Sequence, residues 1–368
     1  MLIHYLTRIQ FDFGALELLS NELALLNLKR PLLVSDPGVQ AAGLVERALS
    51  LYPGIPVFTD TPGNPTEAAV LDALEVYRQE GCDGLVALGG GSVIDLAKAV
   101  ALLATHPGVL SDYGILGGGS ERIRTVAPMI AIPTTAGTGS EVGRACSITL
   151  NDGSKSACVS LKLIPDCALC DPELTLTLPP EMTAATGVDA LTHGIESFLS
   201  TRNNPPAEAI ALDCVVRSES WLEPVVADGQ NREARWQMLM ASLEGGMTFQ
   251  KGLGAIHALS HPLGALGLHH GSLNAVLLPH VLRFNASHAK EKYTRLRQVL
   301  QLPADMNLAE WSQALILKLG LPIRLSELGV IRDSLPEIAA VAAKDHLCQT
   351  NPRPANAADL LVLLENAL

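Results

Sequence analysis

Histidine offers the most chemistry in this sequence. Six of the ten histidines fall between His257 and His288. His257 and His261 are four residues apart, so on a helix they share a face. His269 and His270 follow, directly before Gly271. Upstream, Asp189 and His193 repeat the spacing in Gly187-Val-Asp-Ala-Leu-Thr-His-Gly-Ile-Glu196. Two same-face pairs on different helices can converge on one divalent cation, as metal sites in helical bundles do. One carboxylate oxygen and several imidazole nitrogens, without thiolate, suit Fe²⁺ or Zn²⁺, and ligand type does not choose between them. His280 and His288 read as structural, and His4, His106 and His346 carry no usable signal.

A second constellation is built for phosphate. Leu85-Val-Ala-Leu-Gly-Gly-Gly-Ser-Val-Ile-Asp-Leu-Ala-Lys98 reads as strand, glycine loop, helix. Gly89, Gly90 and Gly91 let the backbone approach a diphosphate, and the helix N-terminus adds free N–H groups and a positive dipole end. Ser92 and Asp95 have the spacing of a capping box. The triplet is not the GxGxxG of an ordinary dinucleotide fold. Asp36 strengthens the reading, because a carboxylate after an earlier strand can bind both ribose hydroxyls and repels a 2′-phosphate, which favours NAD over NADP. A polar loop, Pro133-Thr-Thr-Ala-Gly-Thr-Gly-Ser-Glu-Val142, interleaves hydroxyls with glycine as a ligand-facing loop does.

These residues need elements to hold them. The chain has 368 residues, and single cores stop growing at roughly 250–300, so two domains are expected. Strands are predicted at Pro31–Ser35, Ile55–Thr59, Gly84–Leu88 and Val126–Ile132. Helices are predicted at Leu44–Leu51, Thr66–Gln79 and Ser92–Ala104 between them, with Asp36-Pro-Gly38 as a turn. That βαβα rhythm predicts a parallel sheet covered by helices. Beyond Leu178-Pro-Pro180 the pattern becomes helical: Met182–Leu199, Ala207–Leu222, Glu233–Thr248 and Leu308–Lys318. The expected organisation is an α/β dinucleotide-binding domain over residues 1–180 and an all-α metal-binding domain over 181–368.

Bulk properties exclude other classes. With 48% hydrophobic and 17% charged residues the chain can bury a core and is not disordered. A net charge of −12 without any run of Lys or Arg argues against nucleic acid as a partner. No stretch approaches the ~18 apolar residues of a membrane span, and Met1–Arg8 lacks the make-up of a signal peptide. Seven cysteines without regular spacing are not a disulfide framework, so a cytoplasmic, reducing setting is expected. The Cys167/Cys170 CxxC stands alone and reads as buried strand.

Taken together, these motifs resemble the iron-containing alcohol dehydrogenase family, within the superfamily that includes glycerol dehydrogenase and dehydroquinate synthase. The resemblance runs over nearly the whole chain. It includes Phe13-Gly14, Asp36, Gly89–Lys98, Pro133–Glu141, Pro165–Pro172, Thr186–His193, His257–Ala265, His270-Gly271 and Asn351-Pro-Arg-Pro354. It implies Asp189, His193, His257 and His270 as metal ligands, for Fe²⁺ with Zn²⁺ as the alternative. The family's His-Gly pair falls on His270, and the neighbouring His269 stands where Pro is common. It implies Asp36, Gly90, Gly91, Ser92, Thr134, Thr135 and Lys155 around NAD, His261 beside the nicotinamide, and Ala145 and Leu253 near the substrate. It further implies an active site in the interdomain cleft and a homodimer.

The activity implied is metal-assisted hydride transfer between NAD(H) and a small alcohol or aldehyde, with His261 relaying the hydroxyl proton. Arg144 and Lys251 suggest an anionic substrate, a hydroxy acid or semialdehyde. Three alternatives are weighed against this. A maleylacetate-reductase-like enzyme should lack the full Asp/His/His/His set. A glycerol-dehydrogenase-like polyol enzyme should lack the Asp189/His193 pair. A non-catalytic sensor would bind nucleotide without turnover.

Overall fold

The computed structural model describes Ile3, Tyr5 and residues 7–368. Met1, Leu2, His4 and Leu6, part of the segment read above for a signal peptide, lie outside the described residues. The chain forms two compact units. One comprises residues 5–135 with Gly139–Leu178; the other comprises Pro179–Leu368 with Ala136–Thr138.

The first unit is an α/β layer structure. Its strands are β1 (Arg8–Phe11), β2 (Leu32–Val34), β3 (Val57–Phe58), β4 (Leu85–Gly89), β5 (Met129–Pro133), β6 (Ala145–Thr149), β7 (Lys155–Val159) and β8 (Cys167–Cys170). Six form one sheet in the order β1-β8-β5-β4-β2-β3, every pair parallel. The inner strands β2, β4, β5 and β8 are buried on both faces, which is why those runs are apolar without alternation. Successive residues still divide between two cores. Leu32, Val34, Leu85, Ala87, Met129 and Ala131 pack with the helices Glu67–Gln79 and Gly91–Thr105. Leu33, Val86, Leu88, Ile130, Ile132 and Leu169 fill the opposite side.

The chain leaves β2 outward to β3, then returns to β4 on the other flank of β2. Such a reversal leaves a crevice at the carboxyl ends of the strands, where open α/β sheets take ligands. Gly89 closes β4 tightly: a Cβ there would lie 2.5 Å from Val93 Cγ2, so a side chain would drive strand and helix apart.

Lys98 ties the helix Gly91–Thr105 to the loop Ser140–Ala145. Its buried ammonium donates to Ser140 O (2.7 Å), and to Ser140 Oγ, Gly143 O and Ala145 O (each 2.9 Å). Asp95 accepts from Ser140 Oγ (2.6 Å) and Ser147 N (2.9 Å). The antiparallel hairpin β6–β7 is thereby anchored at its head.

Several local expectations change. Asp36-Pro-Gly38 is not a simple turn: Asp36 caps the helix Pro37–Ala41, accepting from Val39 N at 2.9 Å. Ser92 and Asp95 make no capping box. Gly90 is the cap residue, Ser92 Oγ donates to Gly63 O (2.6 Å), and Asp95 is taken by Ser140 and Ser147. The strand expected at Ile55–Thr59 shortens to the edge pair Val57–Phe58. Cys167 and Cys170 lie three apart on β8, so their thiols point to opposite faces and share no ligand.

The second unit is helical, with no strand among its described residues. At its centre, the helix Pro180–Leu199 is buried at every residue from Thr183 to Leu199. A helix buried all round serves as a core element. Pro205–Ala227, Arg232–Met247, Ala255–Gly264 and His270–Asn285 are among the helices of this unit. No helix among the described residues is long and apolar enough to cross a membrane.

Glu141, in the loop held by Lys98, is buried with Oε1 lacking a hydrogen-bond partner. Burial pushes its carboxyl up to about 7, against the opposing effects of its own backbone and of Lys98. The folded state therefore holds this proton more tightly than the unfolded chain, and stability falls as pH rises from the ordinary carboxylate range through about 7. Glu141→Gln should remove that loss, a gain of about 3 kcal/mol at most at pH 8 and none at pH 4. Urea unfolding at the two pH values measures it; an equal effect at both would contradict the assignment.

Candidate metal centre

Asp189 and His193 come from the buried helix Pro180–Leu199, His257 and His261 from Ala255–Gly264, and His270 from the first turn of His270–Asn285. Gly271 is what lets the last approach. A Cβ there would stand 2.3 Å from Ala185 O, so only glycine permits this closeness.

The side chains converge on one carboxylate oxygen. Asp189 Oδ1 lies 3.5 Å from His193 Nε2, 3.5 Å from His257 Nε2 and 3.6 Å from His270 Nε2. Ligand atoms of Asp189, His257 and His270 all fall within 4.8 Å of one another, a group able to hold a metal. His193 joins at Asp189, its ring stacked on His257 with centroids 4.6 Å apart. His269 does not join: its Nδ1 accepts from Ser272 N and caps the helix.

The electrostatics suit a cation. Burial alone would raise the Asp189 carboxyl, but His193, His270 and His257 outweigh it and hold the group well below the usual carboxylate range. Burial pushes His193 down to about 4, against the pull of Asp189. At His257 burial is overcome by Asp189 and Glu196, which lift it to about 9. The cluster thus contains an anionic oxygen among imidazoles, the donor chemistry of a divalent site.

Around these groups stand residues that the sequence reading did not nominate. Glu196 Oε2 lies 2.6 Å from His257 Nδ1, and Glu196 Oε1 accepts from Ile256 N at 2.7 Å. With Nδ1 hydrogen-bonded to Glu196, His257 presents Nε2 to the cluster, the carboxylate–histidine arrangement that orients a metal ligand once a cation displaces the Nε2 proton. Asp345 Oδ2 holds His261 Nδ1 at 2.7 Å, which leaves Nε2 of the half-buried ring as an acceptor. Asn274 Nδ2 donates to Asp189 Oδ1 at 2.7 Å. Glu196 and Asn274 had a sequence signal. Glu196 lies three residues after His193 and Asn274 four after His270, each on its ligand's helix face. Asp345 had none, standing 84 residues from its partner.

The expected cofactor residues gather in the first unit. Asp36 follows β2, Gly90, Gly91 and Ser92 follow β4, and Thr134 and Thr135 follow β5, all at carboxyl ends of neighbouring strands. No side chain caps the helix at Gly90, which leaves its first turn open to an anion. A Cβ on Gly90 would sit 3.3 Å from Thr135. Lys155 starts β7, half-buried, its ammonium pKa lowered by burial despite Asp95.

Of the expected substrate neighbours, Ala145 is half-buried at the start of β6, and Leu253 is buried, its carbonyl accepting from Thr350 Oγ1 (2.6 Å). Lys251 is a correction. It is fully buried and its ammonium donates to Ser197 O (2.8 Å), Ser200 O (2.7 Å) and Phe198 O (3.3 Å), with Glu208 at 3.3 Å. It closes off chain carbonyls and has no capacity left for a substrate anion.

Glu196→Gln should lower the affinity of the metal-free protein for Zn²⁺ by about 10–100-fold while the fold is kept. Competition against a chelator of known affinity measures it, and an unchanged affinity would show that Glu196 does not orient His257.

Comparison with known proteins places this geometry. Residues 7–172 match the iron-containing alcohol dehydrogenase family, and residues 183–368 match its C-terminal region. The chain is 50% identical over 379 aligned positions to the 4-hydroxybutyrate dehydrogenase of Cupriavidus necator, covering 100% of this chain and 99% of that one. A crystal structure of a 1,3-propanediol oxidoreductase superposes with a TM-score of 0.90 at 34% identity, covering 100% of both chains. The sulfoacetaldehyde reductase of Bifidobacterium kashiwanohense, in complex with NAD⁺, gives a TM-score of 0.88 at 28% identity, covering 100% of this chain and 99% of that one. The chain belongs to the iron-containing alcohol dehydrogenase family and is an oxidoreductase acting on CH–OH groups.

Proposed function

We propose that Asp189, His193, His257 and His270 hold one divalent cation, iron in first place and zinc as the alternative, in an enzyme that interconverts a small ω-hydroxy acid and its semialdehyde. The observation that carries this is a single buried carboxylate oxygen 3.5–3.6 Å from three imidazole nitrogens. A cation there supplies the Lewis acidity that favours alkoxide over alcohol. Bound NAD supplies the hydride acceptor.

The chain's own residues do the rest. Asp189 and the three histidines position the cation, and Glu196 fixes the tautomer of His257. Asp36 reads the ribose, while Gly90, Gly91, Ser92, Thr134, Thr135 and Lys155 line the remainder of the NAD site. His261 accepts the hydroxyl proton at Nε2 and passes it to solvent, with Asp345 holding Nδ1. His261→Ala should cut kcat by about 10²–10⁴ and alter its pH profile; an unchanged rate and profile would remove this role.

The acid half of the reading rests on relatives. The similar 4-hydroxybutyrate dehydrogenase and sulfoacetaldehyde reductase are named for substrates with an anionic group. With Lys251 excluded, Arg144, half-buried at the head of the hairpin, is the cation to examine. Ala145 and Leu253 are proposed near the substrate on the family match. The same reading carries a homodimer and a cytoplasmic setting, the latter supported by seven free cysteines.

Protein purified anaerobically should carry roughly one metal per chain, lose NADH formation on chelation and regain it with Fe²⁺ or Zn²⁺. Its kcat/KM should favour succinate semialdehyde over butanal by at least about tenfold, the scale of about 1.4 kcal/mol. A metal-free chain with full turnover would overturn the metal reading in favour of a maleylacetate-reductase-like enzyme. Equal use of both aldehydes would overturn the acid reading alone.

A further inference from the structure

Asn274 lies one helical turn after His270 on the same helix and is fully buried. Its side chain faces the ligand cluster. Nδ2 is 2.7 Å from Asp189 Oδ1, 3.2 Å from His270 Nε2 and 3.3 Å from His257 Nε2. One amide nitrogen is thus within reach of the donor atoms of three residues assigned to the metal. Its Oδ1, buried as well, has no hydrogen-bond partner.

This arrangement has a physical reason. In the state that binds metal the imidazoles are neutral, and three lone-pair-bearing atoms within 4.8 Å of one another then have no mutual attraction. A donor among them keeps them aimed at one place, and a carboxamide NH₂ has two protons to share. Leu or Val at this position would fill the space and offer none. A buried amide that leaves its oxygen unpaired is costly, so the nitrogen's contacts must repay that cost. The shortest contact goes to the carboxylate.

We propose that Asn274 is a fifth functional member of the metal centre, a positioning residue whose carboxamide holds Asp189 Oδ1 in the orientation that accepts a divalent cation and keeps His257 and His270 gathered beforehand. It shares Asp189 with the cation, releasing the two imidazole nitrogens when they take up the metal. The inference rests on the assignment of Asp189, His257 and His270 as ligands.

The test uses the full-length protein stripped of metal, titrated with Zn²⁺ against a competing chelator and with Co²⁺ followed by its visible spectrum. Asn274→Leu should bind either ion about 10–100-fold more weakly than the unsubstituted protein, the usual effect of losing a group that orients a metal ligand. The rise in melting temperature on Zn²⁺ addition should shrink in the variant, whereas a merely structural role would lower the metal-free and loaded melting temperatures equally. Asn274→Ala, which leaves room for water, carries the same expectation if Asn274→Leu does not fold. Unchanged affinity and Co²⁺ spectrum in a folded variant would overturn the proposal while leaving the metal reading intact. Absence of Zn²⁺ and Co²⁺ binding by the unsubstituted protein would overturn both.

Discussion

A carboxylate sealed inside a helix bundle is unstable by itself, and the second unit is organised around that fact. Asp189 sits in a helix buried on every side, at 2% exposure. Desolvating such an anion costs several kcal/mol unless charge or hydrogen bonds offset it. In the metal-free chain the Asn274 carboxamide donates to Asp189 Oδ1 and a protonated His257 stands beside it, each from a defined helix position. A divalent cation bound by that oxygen and the three nitrogens, as proposed, would offset it more completely. Glu196 behind His257 and the bare Cα of Gly271 beside Ala185 arise from the same need to bring ligands close and aim them.

The first unit meets a different constraint, the presentation of backbone N–H groups and small side chains at the carboxyl ends of parallel strands. Here the buried cation is Lys98. Four oxygens around its ammonium fix the loop Ser140–Ala145 against the helix that begins at Gly91. An irregular loop has little intrinsic order, so a buried ammonium that gathers its carbonyls supplies rigidity that composition cannot. Asp95 completes the link to the hairpin.

Much of this was legible in the sequence. Periodicity located the helices Leu44–Leu51 and Leu308–Lys318 with their observed ends. Four-residue spacing marked Asp189/His193 and His257/His261 as same-face pairs. It could not assign the ligands, since His257 and His261 have identical spacing signals and diverge only in partners, one toward Asp189 and Glu196, the other toward Asp345. The doublet His269-His270 was ambiguous for a related reason. Adjacent residues point about 100° apart on a helix, and the helix start decides which one caps and which one turns inward.

Other failures share one cause, long-range competition for a local group. The capping box read at Ser92 and Asp95 was locally sound, yet Gly63, Ser140 and Ser147 claim those side chains. Lys251 looked like a cation available to substrate, and three backbone carbonyls from the central helix and its C-terminus consume it. Its burial pushes the ammonium down to about 7, with Lys292 adding to the shift. No spacing rule reports such partners, because they are set by tertiary packing.

The most direct test of the central claim is a crystal structure of the metal-loaded protein, with diffraction measured on both sides of the metal's absorption edge. One anomalous peak per chain is predicted, bonded at about 2.0–2.2 Å by Asp189 oxygen and by nitrogens of His193, His257 and His270. A loaded, active crystal with its peak on other residues, or with no peak among these four, would contradict the account.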